Sequence, residues 1–185
     1  MTIDQFYGIE INDFAVSVAK TALWIAEEQM MEETSEILLQ PFDFLPLKSN
    51  GHIHEGNALR MDWNDVLSAD ECSFIAGNPP FLGYSNLSKE QSDDRAEIFG
   101  KVKTLDYVAC WYAKAAAYMR GTNICAAFVS TNSICQGQQV EPLWKPLFDQ
   151  GIGTDFAWQS FVWNSEASDQ AHVHVVIVGF SYAGR

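Results

Sequence analysis

Two adjacent prolines, Pro79 and Pro80, set the tightest local limit on how this chain can fold. Together they withdraw two backbone N–H donors and fix two φ angles, so neither a helix interior nor an inner strand passes through them. They follow the apolar run Phe74-Ile75-Ala76-Gly77, and this spacing predicts a buried strand that ends in the stiff loop Asn78-Pro79-Pro80-Phe81. In open α/β sheets, ligands bind beyond the carboxyl ends of strands. Stiffness there lets the Asn78 side chain and the Pro79 carbonyl converge on one point as acceptors, with the Phe81 ring beside them. Two acceptors and a flat ring suit an exocyclic amino group on a planar base. Taken alone, these residues fit equally well a turn that Asn78 starts and in which Phe81 packs inward.

Two more strand ends lie upstream. Phe6-Tyr7-Gly8-Ile9-Glu10-Ile11-Asn12 is an apolar run that meets a carboxylate at Glu10. Behind it Ala15, Val18, Ala19, Ala22, Leu23, Ile25 and Ala26 fall on one side of a helix expected over 13–31. A strand ending in an acid before a helix is the dinucleotide-type arrangement in which one carboxylate takes both ribose hydroxyls. Ile53-His54-Glu55-Gly56-Asn57-Ala58-Leu59 predicts a strand ending at Gly56-Asn57, where an amide can hydrogen-bond an adenine ring.

The rest of the chain continues the alternation. An irregular connection passes Pro41 and Pro46, and a short helix near 63–68 has Asp62 as its cap. A long polar stretch, Ser85 to Gly100, precedes a helix over 104–120 that stops at Gly121. A strand over 124–130, an irregular helix over 139–149 holding Pro142 and Pro146, and strands near 154–162 and 172–180 complete the chain. Strands alternating with helices predict an α/β fold with a mostly parallel sheet, and the last two strands, with no helix between them, predict an antiparallel hairpin at one edge.

A ribose acceptor, an adenine contact and an amino-group clamp at successive strand ends resemble the class I S-adenosylmethionine-dependent adenine-N6 DNA methyltransferases. The likeness is to the methylase part of type IIG restriction–modification enzymes in particular, from about Gln5 to Phe180. It implies a Rossmann-like sheet and S-adenosyl-L-methionine as cofactor. The cofactor would lie against Glu10 and Ile11 at its ribose, and against Asn57 and Ala58 at its adenine. Asn57 stands where that family commonly has Asp. Asn78, Pro79, Pro80 and Phe81 match the family's (Asp/Asn)-Pro-Pro-(Tyr/Phe) catalytic element, with Asn78 also close to the cofactor. The flipped base would stack on Phe81, and Phe161 or Trp163, within Phe161-Val162-Trp163-Asn164, would cover its other face.

The family's first strand, with its glycine-rich turn, has no counterpart: no Gly-x-Gly precedes Glu10, and Gly151-Ile152-Gly153 is placed to end a helix. Residues 1–185 are therefore expected to form a partial catalytic domain without a target-recognition domain, inactive alone and able to pair with a second copy of itself.

Charge bears on the partner. Eleven basic against 24 acidic residues give a net charge of −13, a poor match to a phosphate backbone. Double-stranded DNA is then expected to be gripped by domains outside this chain, with the acid-rich stretch Glu27 to Glu36 turned away; the plain alternative is an acidic surface that serves solubility. With 48% hydrophobic residues in a chain of 185, one sizeable core is expected. No apolar stretch is long enough to span a membrane, and Cys72, Cys110, Cys125 and Cys135 form no Cys-x-x-Cys pair, so a cytoplasmic protein with reduced core cysteines is expected. The Trp residues are expected mostly in the core. His52 with His54, and His172 with His174, have strand spacing that can chelate a metal, but without a third ligand they predict ordinary strand histidines.

The clamp alone leaves the substrate open. It also accepts a protein glutamine side chain or a base in RNA, and without the glycine turn the chain could be a non-catalytic docking domain.

Overall fold

The structure, a computed structural model, describes residues 3–39, 52–163 and 173–183, with the backbone alone for Val162 and Trp163. The chain divides into two compact units, Met1–Ser68 and Ala69–Arg185. The connection through Pro41 and Pro46, and also Asn164 and His172, lie outside the described residues.

In the first unit, β1 (Tyr7–Glu10) leads into α1 (Asp13–Leu38), and β2 (His52–Glu55) pairs with β1 in parallel, Tyr7 opposite His52 and Glu10 opposite Glu55. Asn12 caps α1 by accepting the Ala15 N–H at 3.0 Å. The helix runs to Leu38, past the expected end at 31, because the acid-rich stretch is built of strong helix formers. Its predicted apolar side is only partly covered. Ala15, Ala19 and Leu23 are half-buried, whereas Val18, Ala22, Ile25 and Ala26 are exposed; the buried residue of the helix, Val16, lies outside the predicted set. The expected helix near 63–68 shortens to a 3-10 turn, Trp63–Asp65, capped by Asp62, which accepts the Asn64 N–H at 2.9 Å.

The second unit holds β3 (Phe74–Gly77), α2 (Lys89–Phe99), α3 (Ala109–Tyr118), β4 (Cys125–Thr131), α4 (Val140–Asp149), β5 (Ile152–Trp163) and β6 (Val173–Tyr182). Its sheet has the order β3-β4-β6-β5. β3 and β4 are parallel; β6 is antiparallel to both β4 and β5. The expected closing hairpin is present, but the sheet is mixed rather than mostly parallel. Burial explains the order. Val175, Val178 and Phe180 on β6 are at most 2% exposed, so that strand takes an inner place, whereas Phe156 and Trp158 on β5 are exposed at the edge.

The core of this unit centres on Tyr112, which stacks on Phe180 at 5.1 Å and meets Phe128 edge-on at 5.3 Å. Its hydroxyl shares a hydrogen bond of 2.9 Å with Ser130. The polar stretch after Ser85 is not all loop: α2 begins there on a reciprocal capping box between Ser88 and Gln91. The helix expected from 104 starts only at Ala109. α4 is regular despite its prolines: Pro142 lies in the first turn, where N–H groups lack intrahelical partners, and Pro146 forgoes only the bond to the Pro142 carbonyl. Gly121 and Gly151 take φ of 78° and 94° at helix ends, as glycine permits.

None of the four cysteines forms a disulfide, but only Cys110 is buried and Cys135 is exposed. Among the tryptophans Trp144 is buried, whereas Trp158 is 66% exposed, so that group is less central than expected. No helix among the described residues is long and apolar enough to cross a membrane.

Candidate functional site

In the first unit, parallel pairing brings the two predicted cofactor-side strand ends together. The Gly56 N–H donates to the Glu10 carbonyl at 2.9 Å, which continues the ladder one step past β2 and sets Asn57 beside the end of β1. The half-buried Glu10 accepts the Asn12 N–H on Oε1 at 3.1 Å, so its carboxylate is aimed by the backbone that starts α1. Ile11 is 69% exposed at the same turn. Asn57 is half-buried, and its Oδ1 accepts the Leu59 N–H at 2.9 Å. Its carbonyl accepts from Arg60 and Met61, while the Ala58 carbonyl accepts from the Trp63 indole at 2.8 Å. This turn is tightly folded on itself, and a Cβ at Gly56 would stand 2.3 Å from the Met61 sulfur.

In the second unit, the Asn78 loop leaves the carboxyl end of β3, as its prolines predict, but β3 is not the buried strand expected: Phe74 is 77% exposed and Ala76 is exposed as well. Gly77 packs so closely over Phe128 that a Cβ would meet two ring carbons at 3.2 Å. Pro79 is buried, whereas the Asn78 side chain is exposed. Among the described residues none donates a hydrogen bond to the Asn78 side chain or the Pro79 carbonyl. The Pro80 carbonyl is engaged, accepting the Leu82 N–H at 3.1 Å, and Phe81 is half-buried. The arrangement is a proline-stiffened loop with an exposed Asn78 amide next to a Pro79 carbonyl that accepts no described hydrogen bond. It can hold an amino group, and it carries no nucleophile: no thiol or hydroxyl belongs to Asn78, Pro79, Pro80 or Phe81.

Sequence reasoning missed what lies behind that loop. Arg95, 7% exposed, donates from one guanidinium nitrogen to the carbonyls of Lys103 at 3.0 Å and Leu105 at 3.2 Å. Asp94, 3% exposed, accepts the Tyr107 hydroxyl at 2.7 Å. These bonds fix the segment ahead of α3 in a non-helical path, which is why that helix starts late. The available signal was the presence of Asp94, Arg95 and Asp106 so close to an apolar helix.

Phe161 is half-buried on β5. The register sets Thr131 of β4 opposite Val175 of β6, and Val175 opposite Phe161, so Phe161 lies at the same end of the sheet as the Asn78 loop. β5 is three strand spacings from β3, roughly 14 Å at the usual separation. The side chain of Trp163 lies outside the described residues. Among the described residues no group of three His, Cys, Asp or Glu could hold a metal ion, and His52 instead stacks on Tyr7 with ring centroids 4.2 Å apart.

Comparison with known proteins adds four findings. Residues 1–185 match the family described as "MmeI, DNA-methyltransferase domain". The chain is 48% identical over 97% of its length to a Bacillus subtilis (strain 168) protein named DNA methyltransferase A, of which it spans 21%. It superposes with a TM-score of 0.92, at 49% identity over 97% of its length, on 25% of the type IIL restriction–modification enzyme MmeI solved in complex with DNA. A type I restriction–modification methyltransferase subunit from Streptococcus thermophilus shares the fold at a TM-score of 0.56 and 17% identity, covering 96% of this chain and 34% of that one. The chain thus spans about a quarter or less of the MmeI chain and of the Bacillus protein.

Proposed function

The chain belongs to the family of MmeI DNA-methyltransferase domains, and from that premise we propose that it transfers a methyl group from S-adenosyl-L-methionine to the N6 amino group of a flipped adenine, as part of a cytoplasmic restriction–modification enzyme. The observation that carries this reading is the Asn78 loop: an exposed amide and an adjacent carbonyl without described hydrogen-bond donors, on a proline-stiffened turn at a strand end.

An adenine amino group is a weak nucleophile because its lone pair is delocalised into the ring. Asn78 Oδ1 and the Pro79 carbonyl each accept one amino hydrogen, which favours a pyramidal nitrogen and frees that lone pair. This is catalysis by positioning and electrostatic stabilisation. The base must leave the duplex to reach the loop. Stacking on Phe81 then offsets part of the lost base stacking, on the order of 1–3 kcal/mol. Phe161 or Trp163 covers the second face.

The first unit fits the cofactor on its own donor set. Glu10 offers a backbone-aimed carboxylate for two vicinal hydroxyls, and Asn57 with Ala58 forms the neighbouring turn for an adenine edge. The cofactor supplies an electrophilic methyl group on sulfur. Double-stranded DNA is gripped by parts of the longer protein outside this domain, in keeping with the net charge of −13.

The test is methylation of unmethylated DNA by the full-length protein, followed by nucleoside digestion. N6-methyladenine is expected; labelled cytosine or an unmodified digest would overturn the assignment. Incorporation into RNA or protein alone would favour the other substrates that the clamp admits.

A further inference from the structure

Asp106 is 6% exposed, and every acceptor bond of its side chain reaches away from its own segment. Oδ1 accepts the Tyr84 N–H at 2.9 Å, three residues beyond Phe81. Oδ2 accepts the Ser133 hydroxyl at 2.5 Å and the Thr131 hydroxyl at 3.4 Å, where β4 ends. Its own N–H donates to the Gln139 side chain at 3.0 Å, and the next N–H, of Tyr107, donates to the Leu82 carbonyl at 2.9 Å. The backbone on both sides of Gly83 is therefore held, at Leu82 by the main chain and at Tyr84 by the Asp106 carboxylate.

This is an expensive way to make a core. A buried carboxyl group loses its hydration and must be compensated by hydrogen bonds, whereas a well-packed apolar residue of similar size often leaves a fold as stable or more so. Among the described residues no cation pairs with Asp106; amide and hydroxyl donors satisfy it. What the carboxylate provides that an apolar side chain cannot is a fixed link between two loops. The one after β3 carries Asn78 and Phe81. The one after β4 begins at Thr131, and since β3 and β4 are parallel, both loops leave the same end of the sheet.

We infer that Asp106 is a positioning residue for the amino-group clamp, tying the loop that holds Asn78 and Phe81 to the end of β4 so that the target base is met in one orientation. The inference rests on the methyl-transfer reading above for its consequence, and on the hydrogen bonds alone for its geometry.

The experiment compares full-length wild-type protein with Asp106→Ala, Asp106→Asn and the double variant Thr131→Val/Ser133→Ala. Single-turnover methylation at saturating cofactor and DNA, cofactor affinity and amide hydrogen exchange at Tyr84 are measured on each. Asp106→Ala is expected to slow the single turnover between about 10- and 100-fold, the scale on which lost positioning acts, with cofactor affinity within about twofold of wild type. Asp106→Asn should recover most of the rate, because its oxygen still accepts from Tyr84 and its amide can donate to a turned Ser133 hydroxyl. If Asp106→Ala fails to fold, the double variant carries the test, since it keeps the Tyr84 bond and releases only the β4 side; its rate should lie between Asp106→Ala and wild type. Exchange at Tyr84 should quicken in Asp106→Ala while the β4 amides hold. A wild-type rate in Asp106→Ala or, where that variant does not fold, in the double variant would overturn the inference. So would unchanged Tyr84 exchange in a folded Asp106→Ala, the one variant that removes the Tyr84 acceptor, and this is readable whether or not the protein methylates. An inactive wild type together with quickened Tyr84 exchange in Asp106→Ala would instead sink the reaction and leave the Asp106 link between the two loops standing.

Discussion

Asn78 and Glu10 carry different halves of the proposed chemistry, so their removal should be felt in different measurements. Asn78→Ala deletes an acceptor that Ala cannot replace; in the full-length protein methyl transfer should fall to background while cofactor titration stays near wild type. Near-normal turnover would refute the assigned role. Glu10→Ala should weaken cofactor binding by about 1.5–3 kcal/mol, the scale of a hydrogen bond to a charged group, and calorimetric titration reads that directly. Both residues were legible because each ends an apolar run that closes on a chemically distinct group. Asp106 was legible only as a charge beside an apolar helix, not as a link between loops. Its partners at Tyr84, Thr131 and Ser133 lie 22 to 27 residues away, a distance over which no periodicity operates. Asn57 was legible only as a polar strand end; that its oxygen is engaged by Leu59 follows from a turn whose geometry the sequence does not specify.

Elements were recovered where burial imposed a period and blurred where local polar bonds took over. The strand starting near 124 and the last strand are mostly apolar, and both appear within a residue or two of their expected bounds. α2 was overlooked inside a stretch judged by its polarity, although Ser88 with Gln91 is a helix-start signal with a mechanism. Ser88→Ala should therefore cost about 1 kcal/mol, visible as a lowered melting midpoint; no change would mean that the box contributes nothing net. At β6 the limit is space. A Cβ at Gly179 would stand 2.1 Å from the Phe156 ring. Gly179→Ala should then destabilise by about 1–3 kcal/mol through overpacking, and pairing it with Phe156→Ala should restore part of that loss.

At the scale of the molecule, the alternation foretold an α/β fold with a closing antiparallel hairpin, but not the mixed sheet of the second unit or which hairpin strand takes the inner place. That place follows from which of the two hairpin strands is the more apolar. The buried core also sets the response to alkali. Burial pushes the Cys110 thiol up from 9.0 to about 12 and raises the Tyr112 phenol as well. Below pH 9 the thiol is protonated in both states. Above it the unfolded thiol loses its proton first, so stability falls as pH rises toward 12. Urea midpoints should drop from about pH 9 upward, and Cys110→Ala should flatten the decline. With a net charge of −13, the 185-residue chain should show no retention of duplex DNA in a gel at physiological salt, and tight retention would contradict a grip supplied from elsewhere. The inner place of β6 has one more consequence, for synthesis. Tyr112 stacks on Phe180, a residue near the end of the chain described here. At a translation rate of about 5–20 residues per second, Tyr112 waits on the order of 3–14 s for that partner. Once β4 is made, β3 holds one of its sides while the other waits for β6, which makes the nascent domain a natural client for a ribosome-associated chaperone.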